Sequence, residues 1–220
     1  MDRRLLLLVV AVVALVGVVN ATVYAYRWMT GTVNIAGPGE ARGAACTGFY
    51  SSTHQNIPVA YLPEVGKNYN APTYGSDSNS ISVTPEDPVC TFYSYNLYES
   101  ISVTIPITVG SWYIQDFYGF GYYGTDEDPT VYVYFRVDET NLSNLLTTAY
   151  LIIRNTNGGQ IARLDLLTYG AQTDPIQLSP RGGLRLDLYL DASNTGTVKF
   201  KVGVYVTQES GEAPSIGTSP

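Results

Sequence analysis

Residues 101–109 read Ile-Ser-Val-Thr-Ile-Pro-Ile-Thr-Val, and every second residue of this stretch is a large aliphatic one. Because successive side chains of a β-strand point to opposite faces, this spacing buries one face and leaves the other face largely polar. The same alternation recurs in residues 131–137, 184–190 and 198–206. A helix would need apolar residues three and four positions apart, so these stretches predict antiparallel strands packed on a core.

Weaker patterns predict further strands, separated by clusters rich in Gly, Pro, Asn and Asp. Pro106 cannot donate a backbone hydrogen bond, which predicts an edge position or a bulge there. Between strands, Glu139–Thr148 predicts one helical turn or a short helix capped by Asn141 or Ser143. The weaker strands are expected at Ala44–Tyr50, Val59–Leu62, Ser80–Thr84, Val89–Tyr95, Trp112–Phe117, Tyr150–Arg154 and Ile161–Leu167.

The predicted fold class is all-β, with one antiparallel β-sandwich, of jelly-roll type, over residues 37–208. About a dozen strands are expected, counting an N-terminal one. We find no internal repeat and no second domain, and residues 209–220 form a polar tail. Nineteen tyrosines and only 14% charged residues fit an all-β extracellular protein, because tyrosine favours half-buried pleated surfaces.

The first residues have the pattern of a secretory signal peptide. Arg3 and Arg4 precede the apolar run Leu5–Val19, and small residues follow it, so residues 1–21 are the expected signal, with cleavage after Ala21 or Ala25. An uncleaved anchor is the alternative, because Leu5–Ala25 is about long enough to span a bilayer. The prediction is an extracellular or cell-surface protein with no membrane segment in its mature form.

The formal net charge of −7 and the small number of basic residues limit the partners. Nucleic acids and anionic lipid surfaces are both recognised by clustered positive charge, which this chain lacks. Neither is therefore expected as a partner.

Two cysteines, Cys46 and Cys90, fit an exported chain with one disulfide, and two unpaired buried thiols are the alternative. Two cysteines and a single histidine are too few for a zinc site. The triplet Asp126-Glu127-Asp128 could offer oxygen ligands to calcium, but it lacks the spacing of an EF-hand loop. We expect a solvated acidic loop there, with no metal and no cofactor.

Catalytic signatures are scarce. His54 is the only histidine, and no Gly-x-Ser-x-Gly or His-Glu-x-x-His motif is present. The best pair of carboxylates for glycoside hydrolysis is Asp116, among aromatic residues, with Glu99 nearby in sequence. A tyrosine-rich strand that packs in a core or subunit contact explains the same residues, so an enzyme is not predicted.

One modification site stands out. Asn141-Leu142-Ser143 is an N-glycosylation sequon in a segment that we expect to be exposed. It predicts a glycan on Asn141.

Residues 22–36 predict a strand that can leave its own domain, because the glycine-rich stretch 35–39 follows it as a hinge. An extended segment of this kind can add to the sheet of another subunit. The alternative is that it pairs within its own sheet. Met29, Gly31, Val33 and Ile35 lie on one face of this strand, and Tyr26 and Trp28 lie on the other.

The signal peptide, the first strand Tyr26-Arg27-Trp28-Met29-Thr30-Gly31-Thr32-Val33 and the Thr/Val/Tyr-rich sandwich together resemble the TasA-like fibre subunits, especially archaeal bundling pili. The sequence part of the resemblance covers about residues 22–36. It implies a non-enzymatic subunit of an extracellular filament, with Tyr26, Trp28, Met29, Gly31, Val33 and Ile35 in a strand donated to the next subunit.

The predicted function is therefore a homopolymeric filament subunit, with lateral bundling of filaments as a further possibility. The main alternative is a cell-surface binding module, for example for carbohydrate, that uses the aromatic residues of Trp112–Tyr123. A third is an accessory subunit held by an uncleaved N-terminus.

Overall fold

A computed structural model of the protein describes residues 46–51, 62–66, 81–92 and 95–211, all within one compact unit. This part of the chain holds ten β-strands and no α-helix, which confirms the all-β prediction. The strands are β1 (Cys46–Tyr50), β2 (Ser82–Phe92), β3 (Tyr95–Ile107), β4 (Gly110–Tyr123), β5 (Val131–Thr140), β6 (Leu146–Arg154), β7 (Gln160–Asp165), β8 (Ile176–Leu178), β9 (Gly183–Ala192) and β10 (Gly196–Thr207).

The strand pairing is that of a jelly roll. β3 pairs with β10, β4 with β9, β5 with β8 and β6 with β7, so that the pairs nest within one another, and all of them are antiparallel. One half of the sheet runs β2-β3-β10-β5-β8 (the β3 sheet) and the other runs β1-β4-β9-β6-β7 (the β4 sheet). The predicted jelly-roll sandwich is confirmed.

The two halves enclose one hydrophobic core. The rings of Phe120 on β4 and Phe135 on β5 contact each other across it, with centroids 5.3 Å apart. Phe49 on β1 packs edge-on against both rings. Each predicted alternating run supplies its apolar face to this core, as in β9, where every second residue from Leu184 to Leu190 is buried.

The sandwich is nearly closed on both sides. On one side β1 lies between β4 and β3, which it meets through the pair Phe49 and Tyr98. On the other side, the chain after β7 bonds to both halves: Leu166 N donates to Ala149 O of β6, and Val137 N of β5 donates to Ala171 O. Each of the long strands β3, β4, β5, β6, β9 and β10 therefore has a neighbouring strand on both sides.

Local differences from the sequence predictions occur where the chain turns or bends. Val109 was expected on the buried face of its run, but β3 ends at Ile107 and Val109 is 65% exposed in a tight turn. The turn continues into Gly110, whose φ of 133° favours glycine. Ser80–Thr84 and Val89–Tyr95 were expected as separate strands, but β2 runs through Pro85 and Pro88.

β2 tolerates these prolines because, among the described residues, it pairs only with β3. Pro106 pairs with Thr197 of β10, and the described part of β2 ends its pairing with β3 at Thr104, so no described residue pairs with Pro106 on the β2 side. The expected helix at Glu139–Thr148 is a single turn, closed by Leu146 N donating to Leu142 O. Of Val59–Leu62, only Leu62 is described, and it is not in a strand.

Candidate functional site

Several predicted residues lie outside the described part of the chain. They include the signal peptide with both cleavage sites, and His54. The predicted donor-strand residues Tyr26, Trp28, Met29, Gly31, Val33 and Ile35 lie outside it too.

Cys46 and Cys90 form the predicted disulfide, with Cα atoms 5.7 Å apart. Cys46 is the first residue of β1, and Cys90 lies near the end of β2, close to the hairpin into β3. The bond therefore ties β1 to the β2–β3 hairpin. A structural disulfide indicates an oxidising environment.

The chain segment at residues 62–66 covers the outer face of β1 next to this disulfide. Leu62 and Val65 pack with Tyr50 and Leu97 in a small second cluster of buried side chains. The Tyr50 hydroxyl donates to Pro63 O at 2.6 Å. Burial raises the pKa of the Tyr50 phenol far above its ordinary value. β1 is consequently buried on both faces, unlike a surface strand of an ordinary sandwich.

Glycines make room for this covering segment. A Cβ atom at Gly121 would come within 2.6 Å of Leu62, and one at Gly183 within 2.4 Å of Pro63. The sheet surface under the segment is therefore flat enough for close backbone packing.

The aromatic segment Trp112–Tyr123, which the binding-module alternative needs, points mainly into the core. Phe117, Tyr118, Phe120 and Tyr122 are all at most 1% exposed. Trp112 and Tyr123 are partly buried and only Tyr113, at 49%, is exposed, so the segment offers little aromatic surface to a ligand.

Asp116, the candidate acid, lies in a bulge of β4 with a φ of 48°. Its carboxylate pairs with Arg185 of β9 at 2.9 Å, and its backbone N–H donates to Asp187 Oδ1 at 2.7 Å. Glu99 belongs to the β3 sheet and lines a separate cleft together with other charged groups. The two carboxylates therefore do not share a site.

Asp187 forms a buried polar cluster on the outer face of the β4 sheet. Its side chain is fully buried, and Arg154 Nε of β6 lies 2.5 Å from its Oδ2. The Tyr113 hydroxyl donates to the same oxygen, and Arg154 Nη2 donates to the Tyr113 hydroxyl at 2.6 Å. The cluster joins the neighbouring strands β4, β9 and β6, and we interpret it as an interaction that stabilises the sheet.

The acidic loop between β4 and β5 uses its carboxylates locally. Asp128 Oδ2 accepts from Thr125 N at 2.6 Å, which closes the turn, and Asp126 pairs with Arg181 at 3.4 Å. Among the described residues, no three His, Cys, Asp or Glu side chains are placed to hold a metal ion.

Asn141, the predicted glycosylation site, is exposed in the turn between β5 and β6. Its Oδ1 accepts from Lys199 N at 2.7 Å. A glycan would bond to the amide nitrogen, not to this oxygen, so the contact with Lys199 is compatible with modification.

A polar cleft of about 180 Å³ opens on the outer face of the β3 sheet. We call it the Glu99 cleft; it is lined by Asp87, Glu99, Ser100, Arg136, Asp138, Gln172, Lys201, Gly203, Val204 and Tyr205. Gly203 leaves room for Asp138, because a Cβ atom there would lie 2.1 Å from Asp138 Oδ2. Burial raises the pKa of Glu99, and Asp87 and Asp138 add to the rise.

No local sequence pattern predicted this cleft. Its residues come from β2, β3, β5, β10 and the chain before β8, so only the strand order brings them together. The polar positions of each alternating run were predicted to face outward, but their neighbours across strands were not predictable.

Within the described residues, no helix has the length and hydrophobicity needed to span a bilayer. The sequence matches no protein-family model and no curated protein.

Proposed function

We propose that this protein is the structural subunit of an extracellular filament, assembled by donating the strand Tyr26–Ile35 to a neighbouring subunit. The observation that carries the proposal is the covalent anchor at Cys46, eleven residues after Ile35. In a strand-exchange filament, the tension between subunits passes along the chain from the donated strand into the first core strand, β1.

β1 is a short strand to carry this tension. It has five residues and meets β4 in five register pairs, so a pull on its N-terminal end could peel it from the sheet one pair at a time. The disulfide lies at the end where the pull arrives. It passes the load to the β2–β3 hairpin, and β3 is held by eight register pairs to β10. The placement of the bond suits a subunit that bears tension.

The jelly-roll core and the oxidising environment implied by the disulfide also support this proposal. Strand addition relies on backbone hydrogen bonds for affinity and on side-chain pockets for register. The apolar face of the proposed donor strand, with Val33 and Ile35, would supply those pocket-filling side chains.

The first experiment is electron microscopy of filaments sheared from the source cells, with mass spectrometry of their subunit. We expect this chain to be the filament subunit. Deletion of residues 22–36 should abolish polymers while the circular dichroism of the β-sandwich is retained. Detection of the native protein only as monomers would contradict the proposal.

A pair of adjacent substitutions provides a sharper test. Val33→Asp places a charge on the apolar face of the donor strand and should block assembly, because an unpaired buried charge is costly. Asn34→Asp adds the same charge on the opposite face and should leave filaments intact. Equal effects of the two variants would contradict a donated strand with one pocket-facing side.

A further inference from the structure

Two carboxylates of the Glu99 cleft have no paired cation among the described residues. Arg136 pairs with Asp138 at 2.7 Å, and Lys201 pairs with Glu86, at the edge of the cleft, also at 2.7 Å. Asp87 and Glu99 are left over. The cleft and its edge therefore hold four carboxylates and two cations, an excess of negative charge that favours a cationic ligand.

The cleft also contains polar groups whose hydrogen bonds are incomplete. Ser100 and Gln172 both line the cleft; Ser100 is 4% exposed, and its hydroxyl and Gln172 Oε1 are buried atoms. Neither atom has a hydrogen-bond partner in the described part of the protein. Buried polar groups are nearly always partnered in native proteins, so a ligand with several donors would complete the site.

An aromatic ring stands at the rim of the same cleft. Tyr205 is 40% exposed on β10, two residues beyond Gly203 on the outer face of the sheet. An ammonium group is attracted to such a ring face. The space of about 180 Å³ is smaller than most small-molecule sites and suits the end of one side chain.

We propose that the Glu99 cleft binds a primary ammonium group. Asp87 and Glu99 act as its counter-ions, the Ser100 hydroxyl and Gln172 amide oxygen accept hydrogen bonds, and the Tyr205 ring contacts the cation. An ammonium ion fits better than a divalent metal, because Arg136 and Lys201 also line the cleft and no three described carboxylates are placed around one metal position. This site is independent of strand donation.

The test is a titration of the isotope-labelled full chain with Nα-acetyl-lysine N-methylamide, followed by backbone NMR. We expect saturable shifts at Ser100, Gly203 and Tyr205. The norleucine analogue, which lacks the amine, should give none. Glu99→Gln should weaken binding about tenfold, the usual effect of losing a charge-assisted hydrogen bond.

Two further variants complete the design. Asp87→Asn should also weaken binding without distorting the backbone, because Asn tolerates the positive φ of 57° at this position. Glu127→Gln removes an exposed carboxylate from the β4–β5 loop and should change nothing. Equal shifts with the norleucine analogue, or shifts with calcium but not with the amine, would overturn the proposal.

A second arm identifies where the ammonium group comes from. Carbodiimide treatment of a mixture of isotopically heavy and light protein should join Glu99 or Asp87 to a lysine of another copy, if a second copy supplies the amine. Amine binding without a mixed-isotope cross-link would assign the site to a separate amine ligand. Either outcome supports the ammonium site, whereas failure of the titration rejects it.

Discussion

Arg154 Nε lies 2.5 Å from Oδ2 of Asp187, and the Asp187 side chain is fully buried while that of Arg154 is 31% exposed. A buried carboxylate that loses its cation is strongly destabilising, because water cannot replace the lost partner. The pair joins β6 to β9 in the middle of the β4 sheet. Its strength should therefore be measurable in the stability of the whole domain.

We expect Arg154→Ala to lower the free energy of unfolding by about 3 kcal/mol, at the low end for a buried pair because Arg154 is partly exposed. Urea unfolding at neutral pH measures this. Arg163→Ala is the matched control: Arg163 lies 4.1 Å from the Tyr150 ring centroid, and its removal should cost about 0.5–1 kcal/mol. Equal losses would show that Asp187 does not depend on its cation.

The disulfide should contribute strongly to stability. Cys46 and Cys90 are 44 residues apart, and closing a loop of this size is expected to stabilise the domain by about 3–4 kcal/mol. The double variant Cys46→Ser with Cys90→Ser should lose that amount in urea unfolding. Reduction of the wild type should have the same effect, because the chain has no other cysteine. An unchanged midpoint after reduction would contradict the prediction.

The sequence predicted the strands well because alternation is a local property. In β9, Leu184 to Leu190 directly shows which face is buried. The burial of Asp187 was not predictable, because alternation places it on the outer face, where its partners Arg154 and Tyr113 come from neighbouring strands. The cleft was not predicted for a similar reason: Glu99 and Lys201 line it together because β3 and β10 are neighbours in the sheet.

Gly48 should be intolerant of any side chain. A Cβ atom there would lie 2.7 Å from both the backbone N and O of Tyr98, which cannot move without disturbing β3. Gly48→Ala should cost about 1–3 kcal/mol through overpacking. Gly211→Ala is the control, because nothing lies within 4 Å of its added Cβ. A Gly48→Ala protein as stable as the control would mean that β1 can shift freely.

Native protein should carry a glycan on Asn141. Mass spectrometry of the peptide that contains Asn141-Leu142-Ser143 should show the added mass. Ser143→Ala should remove it while keeping the Asn141 contact with Lys199, so loss of the glycan would not be confused with damage to the turn. An unmodified peptide from native material would reject the prediction.

Tyr50 should make the protein sensitive to alkaline pH. Burial raises the pKa of its phenol, Arg185 lowers it in part, and Asp116 raises it. In the unfolded chain the phenol ionises near pH 10. Above that pH the unfolded state releases a proton that the folded state keeps, so stability falls by about 1.4 kcal/mol per pH unit from this group alone.

Tyr50→Phe removes this proton and also the hydrogen bond to Pro63 O. At neutral pH the variant should therefore be less stable by about 1 kcal/mol. Above pH 10 its stability should fall less steeply than that of the wild type, and the two curves should cross at about pH 10.6. Urea unfolding between pH 7 and 11.5 measures both slopes. Parallel curves would show that the Tyr50 phenol ionises as readily in the folded protein as in the unfolded chain.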